Sequence, residues 1–222
     1  MTPEDATKLC VSSASQSSCD VWVRERKKRF TASKCYSLYT PKNPLEDEEF
    51  WQRKLKGMLN SSFTGNYNTD RGLEDEPYSR SRYEVVSGFP VKVVGLMVHP
   101  DMPWLGCSPD GIIGDSVLFE TKSPESGVLN SACDIVRNVS YVQIAKNGDM
   151  RLSSRHPYYG QIQLNMAITG LQSCDFVIYA SSDDSIVIIR VPFDKVFAED
   201  LIKKLTKVYF KHYLRIVREA QV

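Results

Sequence analysis

No stretch of this chain comes near the roughly 18 consecutive apolar residues that a membrane-crossing helix needs, and no basic-then-apolar leader is visible. A soluble, intracellular protein is therefore expected. The six cysteines (Cys10, Cys19, Cys35, Cys107, Cys133, Cys174) contain no Cys-x-x-Cys pair, and His99, His156 and His212 lie far from them in sequence. That spacing argues against a structural zinc site, and free thiols in a reducing compartment are the simpler account. No residue series supports a cysteine nucleophile. An excess of one charge is also missing. Lys and Arg number 28 against 27 Asp and Glu, a net charge of +1, which excludes a uniformly basic coat but leaves room for a local patch. Neither an internal repeat nor a low-complexity tract is present. At 222 residues, 42% hydrophobic and 25% charged, the chain suits one sizeable core. The expectation is a single α/β domain over residues 1–222, with residues 1–20 as a peripheral segment and residues 193–222 as a C-terminal helix.

What the chain does have is centred on residues 108–122. Gly111-Ile112-Ile113 and Val117 to Lys122 are apolar or β-branched runs around Gly114-Asp115-Ser116, a turn of hairpin length. A period of two puts Leu118, Glu120 and Lys122 on one face of the second strand and Val117, Phe119 and Thr121 on the other. Asp110, at the outer end of the first strand, is about as far from the turn as Glu120 is, so the two carboxylates converge beside Lys122. Like charges at close range oppose each other's ionisation. A hard divalent cation resolves that opposition, with the Thr121 carbonyl as a further oxygen ligand and open positions for phosphate and water. Lys122 would orient that water or offset phosphate charge. The competing account is a solvated hairpin with a surface ion pair, since Glu-x-Lys is short and recurs at Glu25-Arg26-Lys27.

Along the chain, Thr2 caps a helix that opens on Pro3, Glu4 and Asp5, and Ser12 to Ser18 reads as a polar connection. A second helix is predicted from Asp20 through Arg29, ending at Phe30 to Ser33. Five of the six residues from Arg24 to Arg29 are basic; they form either a solvated face or an edge that contacts phosphate, with Ser33 adding a hydroxyl. A loop at 40–44 precedes a helix from about Leu45 to Leu59, and 60–70 reads as another loop. Glu74, Asp75 and Glu76 then form the acidic start of a basic helix, where they suit the dipole or supply one more metal ligand. Phe89 to Val98 reads as a strand, 99–104 as a turn, and 123–157 as irregular apart from a short element at Val139 to Ile144. Tyr158 to Thr169 reads as a helix closed by Gly170, and Cys174 to Ala180 with Ile186 to Val191 as a hairpin. From Phe193 a long amphipathic helix repeats Val196, Phe197, Leu201, Leu205, Val208, His212 and Ile216 toward a core.

These residues carry a resemblance. Asp110 followed by Glu120-Thr121-Lys122 is similar to the signature of the PD-(D/E)XK nuclease superfamily, and its surroundings resemble the YqaJ-type viral recombinase branch, the family of bacteriophage lambda exonuclease. From about Trp22 to Gly170 the parts come in the family's order: Trp22, Arg26, Arg29 and Thr31-Ala32-Ser33; Gly72 and Glu76; His99-Pro100-Asp101 leading to Cys107-Ser108-Pro109-Asp110-Gly111; Glu120-Thr121-Lys122; and Tyr158-Tyr159-Gly160-Gln161-Ile162-Gln163-Leu164-Asn165-Met166. The resemblance implies an α/β fold with a mixed central sheet flanked by helices. It implies Mg²⁺, two ions or the Mn²⁺ equivalent, on Asp110, Glu120, Glu76 and the Thr121 carbonyl. Lys122 would be the catalytic lysine and Gln161 its support, while Arg26, Arg29 and Ser33 would bind DNA at the 5′ phosphate. The implied activity is 5′-to-3′ exonuclease action on linear double-stranded DNA, leaving 3′ single strands for recombination or repair. Implied partners are DNA ends, a single-strand annealing protein and, through a ring trimer, copies of the chain itself. An endonuclease of the same superfamily and an inactive DNA-binding module are the alternatives, followed by a protein-interaction domain.

Overall fold

Val117, Leu118 and Phe119 are consecutive apolar residues, so the strand Val117–Lys122 buries side chains on both faces, and the sheet is built outward from it. The structure, a computed structural model, describes residues 1–60 and 67–221. Its elements are α1 (Pro3–Ser12), α2 (Asp20–Lys27), β1 (Phe30–Thr31), α3 (Ala32–Tyr39), α4 (Glu48–Asn60), α5 (Tyr67–Ser87), β2 (Val91–Lys92), β3 (Leu105–Gly106), β4 (Gly111–Ile113), β5 (Val117–Lys122), α6 (Ala132–Asn138), β6 (Val142–Ile144), β7 (Met150–Leu152), α7 (Pro157–Thr169), β8 (Ser173–Ala180), β9 (Ser185–Pro192), α8 (Lys195–Val208) and α9 (Leu214–Glu219). Short 3₁₀ turns lie at Gln16–Ser18 and Glu125–Val128, and a π-helical turn at Tyr209–Tyr213 joins α8 to α9. Among the described residues no helix is long and apolar enough to cross a membrane.

The main sheet has the order β2-β4-β5-β8-β9, with β5 and β8 parallel and the other neighbours antiparallel. On one face Leu118, Phe176 and Ile178 pack with Ile162 and Met166 of α7 and Ile135 of α6. On the other, Phe119 and Val177 pack with Tyr83 of α5. Each such side chain stabilises the fold by about 1.5–3 kcal/mol when fully buried, so α5 and α7 are held against opposite faces of β5. A helical cluster around Phe30 and Trp51 joins α3, α4, α8 and α9 to the far side of α7 through Leu164 and Ile168. Helix α7 is thus covered on two sides, which explains why its apolar residues run all round it. Gly160 permits the α3–α7 approach: a Cβ there would sit 2.8 Å from Tyr36 Cδ2.

Several sequence expectations shift. Residues 67–70 are helical, not loop, and the rest of that expected loop, 61–66, lies outside the described residues. Helix α5 carries Pro77 in its interior, so Glu74 to Glu76 sit well inside a helix and the dipole account of them fails. Helix α4 begins at Glu48 because the Asp47 carboxylate accepts from the Phe50 amide at 3.1 Å. The strand expected over 89–98 shrinks to β2, because the backbone of Val94 and Leu96 bonds the N-terminal segment instead. Helix α2 stops at Lys27 because Phe30 and Thr31 pair in parallel with Leu105 and Gly106. Helices α3 and α6 and strand β7 fill stretches read as irregular or as a helix end. Val196 faces solvent, not the core.

Candidate active site

The hairpin register pairs Gly111 with Phe119, which brings Asp110 opposite Glu120 one step farther out. Asp110 Oδ2 accepts the Thr121 amide at 2.7 Å, and the Thr121 and Ser79 hydroxyls share a hydrogen bond of 2.5 Å that ties β5 to α5. Glu76, one turn before Ser79, is thereby carried to the acids. Glu120 is 1% exposed. Its Oε1 accepts from Lys122 Nζ at 2.7 Å and from Gln161 Nε2, and its Oε2 accepts from Asn165 Nδ2 at 3.1 Å. Gln161 and Asn165 share a face of α7 by their spacing of four. Lys122 Nζ also lies 5.2 Å from the Tyr158 ring centroid, within cation–π range.

These groups raise one another's charge cost. Burial, and after it the charge of Asp110, raises the Glu120 carboxyl to about 7, and the same two causes raise Glu76 to about 7. Burial pulls the Lys122 ammonium toward neutrality, but the charges of Glu120 and Asp110 outweigh it and hold its pKa above that of an ordinary lysine. Lys122 is therefore a fixed positive charge here, suited to stabilising anions and not to removing protons.

A cleft of about 160 Å³ runs from the acids to α2 and α3, and its wall includes Arg26, Ser33, Glu76, Asp110, Gln161 and Asn165. Arg26 Nη2 donates to Ser33 Oγ at 3.0 Å, and its guanidinium lies 4.1 Å from the Trp22 ring centroid. Trp22 Nε1 in turn donates to Ser108 Oγ at 2.9 Å, near Asp110. Burial pulls the Arg26 pKa down to about 10, with no carboxylate beside it to oppose the shift among the described residues. One end of the cleft is thus cationic and partly buried, and the other is acidic.

The structure brings Arg26, Ser33, Glu76, Asp110 and Gln161 to this cleft, with Glu120, Thr121 and Lys122 directly behind them. Arg29 is not brought there. Because α2 ends at Lys27, Arg29 leaves the helix face of Arg26 and is buried against Glu25, donating to its carbonyl at 2.8 Å and to its carboxylate at 2.9 Å. That ion pair is where the structure places it, away from the cleft lining. Glu74 is exposed while Glu76 lines the cleft, and Asp101 is exposed outside it. Missed by sequence reasoning were Asn165, which a search four residues on from Gln161 would find, and Gln16 and Ser17, for which no local signal exists.

The donor chemistry fits a hard divalent ion: Glu76, Asp110 and Glu120 offer carboxylate oxygens near enough for their charges to act on one another, and two of them have raised pKa values. Among the described residues no three such side chains stand close enough to enclose one ion. Each acid is instead satisfied by a protein donor, Glu76 by Arg80 at 2.6 Å and Glu120 by Lys122.

The YqaJ-like viral recombinase domain model matches residues 21–172. The chain belongs to this family. Its structure is similar to that of the alkaline exonuclease LHK-Exo from Laribacter hongkongensis, at 26% identity and TM-score 0.65 over 90% of this chain and 98% of that one. A phage-related exonuclease from Haemophilus somnus 129PT shares the fold at 12% identity and TM-score 0.58, over 86% of this chain and 96% of that one. So does the Shutoff and Exonuclease Protein of Kaposi's sarcoma-associated herpesvirus, at 11% identity and TM-score 0.58, over 93% and 72%. No curated protein sequence matches the chain. The YqaJ-like assignment agrees with the motif order read from the sequence, and the mixed sheet flanked by helices is the PD-(D/E)XK nuclease arrangement that these exonucleases share.

Proposed function

We propose that this YqaJ-like chain is a divalent-metal-dependent deoxyribonuclease that removes nucleotides from the 5′-ended strand of linear duplex DNA and leaves a 3′ single strand. The observation that carries the reading is one cleft with the Arg26 guanidinium at one end and Glu76 and Asp110 at the other, with Glu120 buried behind them. That arrangement suits a terminal phosphate seated beside a hydrolysis site. Relatives named as exonucleases support it, and LHK-Exo has been solved in complex with dAMP.

In this reading Asp110, Glu120, Glu76 and the Thr121 carbonyl hold Mg²⁺ or Mn²⁺, two ions when the site is full. Bound there, the metal supplies Lewis acidity and a water of lowered pKa. The chain's own residues do the rest. Arg26 and Ser33 bind the 5′ phosphate and so decide which phosphodiester lies in line. Lys122 remains an ammonium and offsets the charge that builds on the phosphate oxygens. Gln161 and Asn165 fix both oxygens of Glu120, so its carboxylate does not swing with Lys122. Assembly into a ring trimer, and delivery of the 3′ strand to a single-strand annealing protein, belong to the same proposal.

The test is digestion of linear duplex DNA labelled separately at each end, with and without Mg²⁺, beside a covalently closed circle and an Asp110→Ala variant. Metal-dependent loss of the 5′ label with the circle intact is the expected result. Cutting of the circle would instead make the protein an endonuclease, and binding without digestion would make it a DNA-binding module.

A further inference from the structure

We infer that Gln16 is a positioning residue for the cleft, holding the turn that presents Asp110. The inference rests on the reading of Asp110 as a metal ligand. Gln16 lies in the N-terminal segment, outside the residues 21–172 that match the family, and its side chain reaches two distant carbonyls at once. Nε2 donates to Val94 O at 2.9 Å and to Pro109 O at 3.2 Å. An amide nitrogen has two hydrogens, and both are used. The Pro109 carbonyl belongs to the peptide bond that leads into Asp110, so this hydrogen bond holds the backbone at that point. The residue that follows is Asp110, whose carboxylate is fixed by the Thr121 amide at 2.7 Å. Gln16 therefore fixes the backbone entering Asp110 while β5 fixes its side chain.

A second, independent observation concerns the backbone. Gln16 has φ +45, in the left-handed region that side chains other than Asn and Asp rarely adopt. Glycine would relieve that conformation but could not supply the amide. The strain persists because the segment is clamped from both sides. Ser13 Oγ accepts the Leu96 amide at 2.8 Å, and Gly95 is pressed so closely that a Cβ there would lie 2.2 Å from Cys10 O. Residues 94–96 and the Pro109 peptide are thereby locked to one segment, and Gln16 is among the residues that line the cleft.

A mere tether for the N-terminal segment would affect melting alone, whereas a positioning residue affects the metal site. The full chain is compared with Gln16→Gly, which relieves the backbone and deletes the amide, and with Gln16→Met, which keeps the length without donors. Mn²⁺ affinity is measured by titration calorimetry without DNA, melting is followed on the metal-free protein, and Asp110→Ala serves as control. Both Gln16 variants are expected to bind Mn²⁺ about tenfold more weakly, the usual effect of losing a group that orients a ligand, with Gln16→Gly melting within roughly 4 °C of the parent. Native Mn²⁺ affinity in both variants, while Asp110→Ala loses it, overturns the role of Gln16. A loss of affinity that falls in step with melting in both variants overturns it too. If Asp110→Ala binds Mn²⁺ as the parent does, the ligand reading fails and this inference fails with it.

Discussion

Arg26 and Ser33 are seven residues apart, on different helices with a two-residue strand between them, yet the guanidinium donates to the hydroxyl across 3.0 Å. The contact exists because Phe30–Thr31 pairs with Leu105–Gly106 and folds α3 back beside α2. Two donors so placed, one charged and lying over Trp22, are the pair that the proposed function assigns to the 5′ phosphate.

Removing the charge should therefore remove the reading of the DNA end. Hydrogen bonds to charged groups contribute about 1.5–3 kcal/mol, so Arg26→Ala should lower the preference for 5′-phosphorylated over 5′-hydroxyl ends by roughly 10- to 100-fold. Competition between the two ends in one digestion reads this directly. An unchanged preference would dismiss that assignment.

Lys122 is held as an ammonium by Glu120 and Asp110, so its contribution is charge. Lys122→Ala should slow cleavage by about 10²–10³ or more, the scale of losing one electrostatic stabiliser, while duplex binding stays within a few-fold. Single-turnover cleavage and fluorescence anisotropy on the same samples separate the two. Cleavage at the parent rate would show that the lysine has no part in the chemistry.

The raised carboxyls of Glu120 and Glu76 make the metal-free protein sensitive to pH in a stated direction. Their ordinary value is 4.5 and their folded value about 7, so the folded state holds protons that the unfolded chain releases. Stability from these groups is complete below about 4.5 and is lost as pH rises through 7. Melting without metal should fall between those values, and Glu120→Gln should flatten the fall. Because metal competes with protons, added Mg²⁺ should restore more stability at pH 8 than at pH 5. Scanning fluorimetry across pH tests both, and a melting curve that rises with pH would contradict the arrangement.

The π turn between α8 and α9 directs Tyr209 and Tyr213 to the end of α2, where their hydroxyls donate to Lys28 O at 2.8 Å and Lys27 O at 2.6 Å. These are carbonyls that a helix end leaves without internal partners. Replacing both tyrosines by phenylalanine should cost about 2 kcal/mol, near 1 for each hydrogen bond, measured by urea unfolding. A loss near zero would mean that water replaces both hydroxyls.

Legibility followed the range of the forces. The β4–β5 hairpin was readable because alternation and a Gly-Asp-Ser turn are local, and the opposition of Asp110 and Glu120 followed from counting back from that turn. Helix α7 was readable from its length and from Gly170, whose φ of +76 closes it. Helix α5 was readable only in its second half: the expected start at Glu74 to Glu76, just before Pro77, lies well inside a helix that runs from Tyr67 and continues through the proline. The place of Arg29 was not legible either: its pairing with Glu25 away from the cleft follows from the end of α2 at Lys27, which the distant partner strand β3 sets. Gln16 could not be found from sequence at all, because its partners are 78 and 93 residues away.

The family match ends at residue 172, but the π turn lies beyond it and caps the helix that carries Arg26. Tyr209, Tyr213 and the turn lie outside the cleft lining, yet through the Lys27 and Lys28 carbonyls they help to set where the helix bearing Arg26 ends. The placement of a cleft residue in this chain thus depends in part on a helix that the motifs do not include.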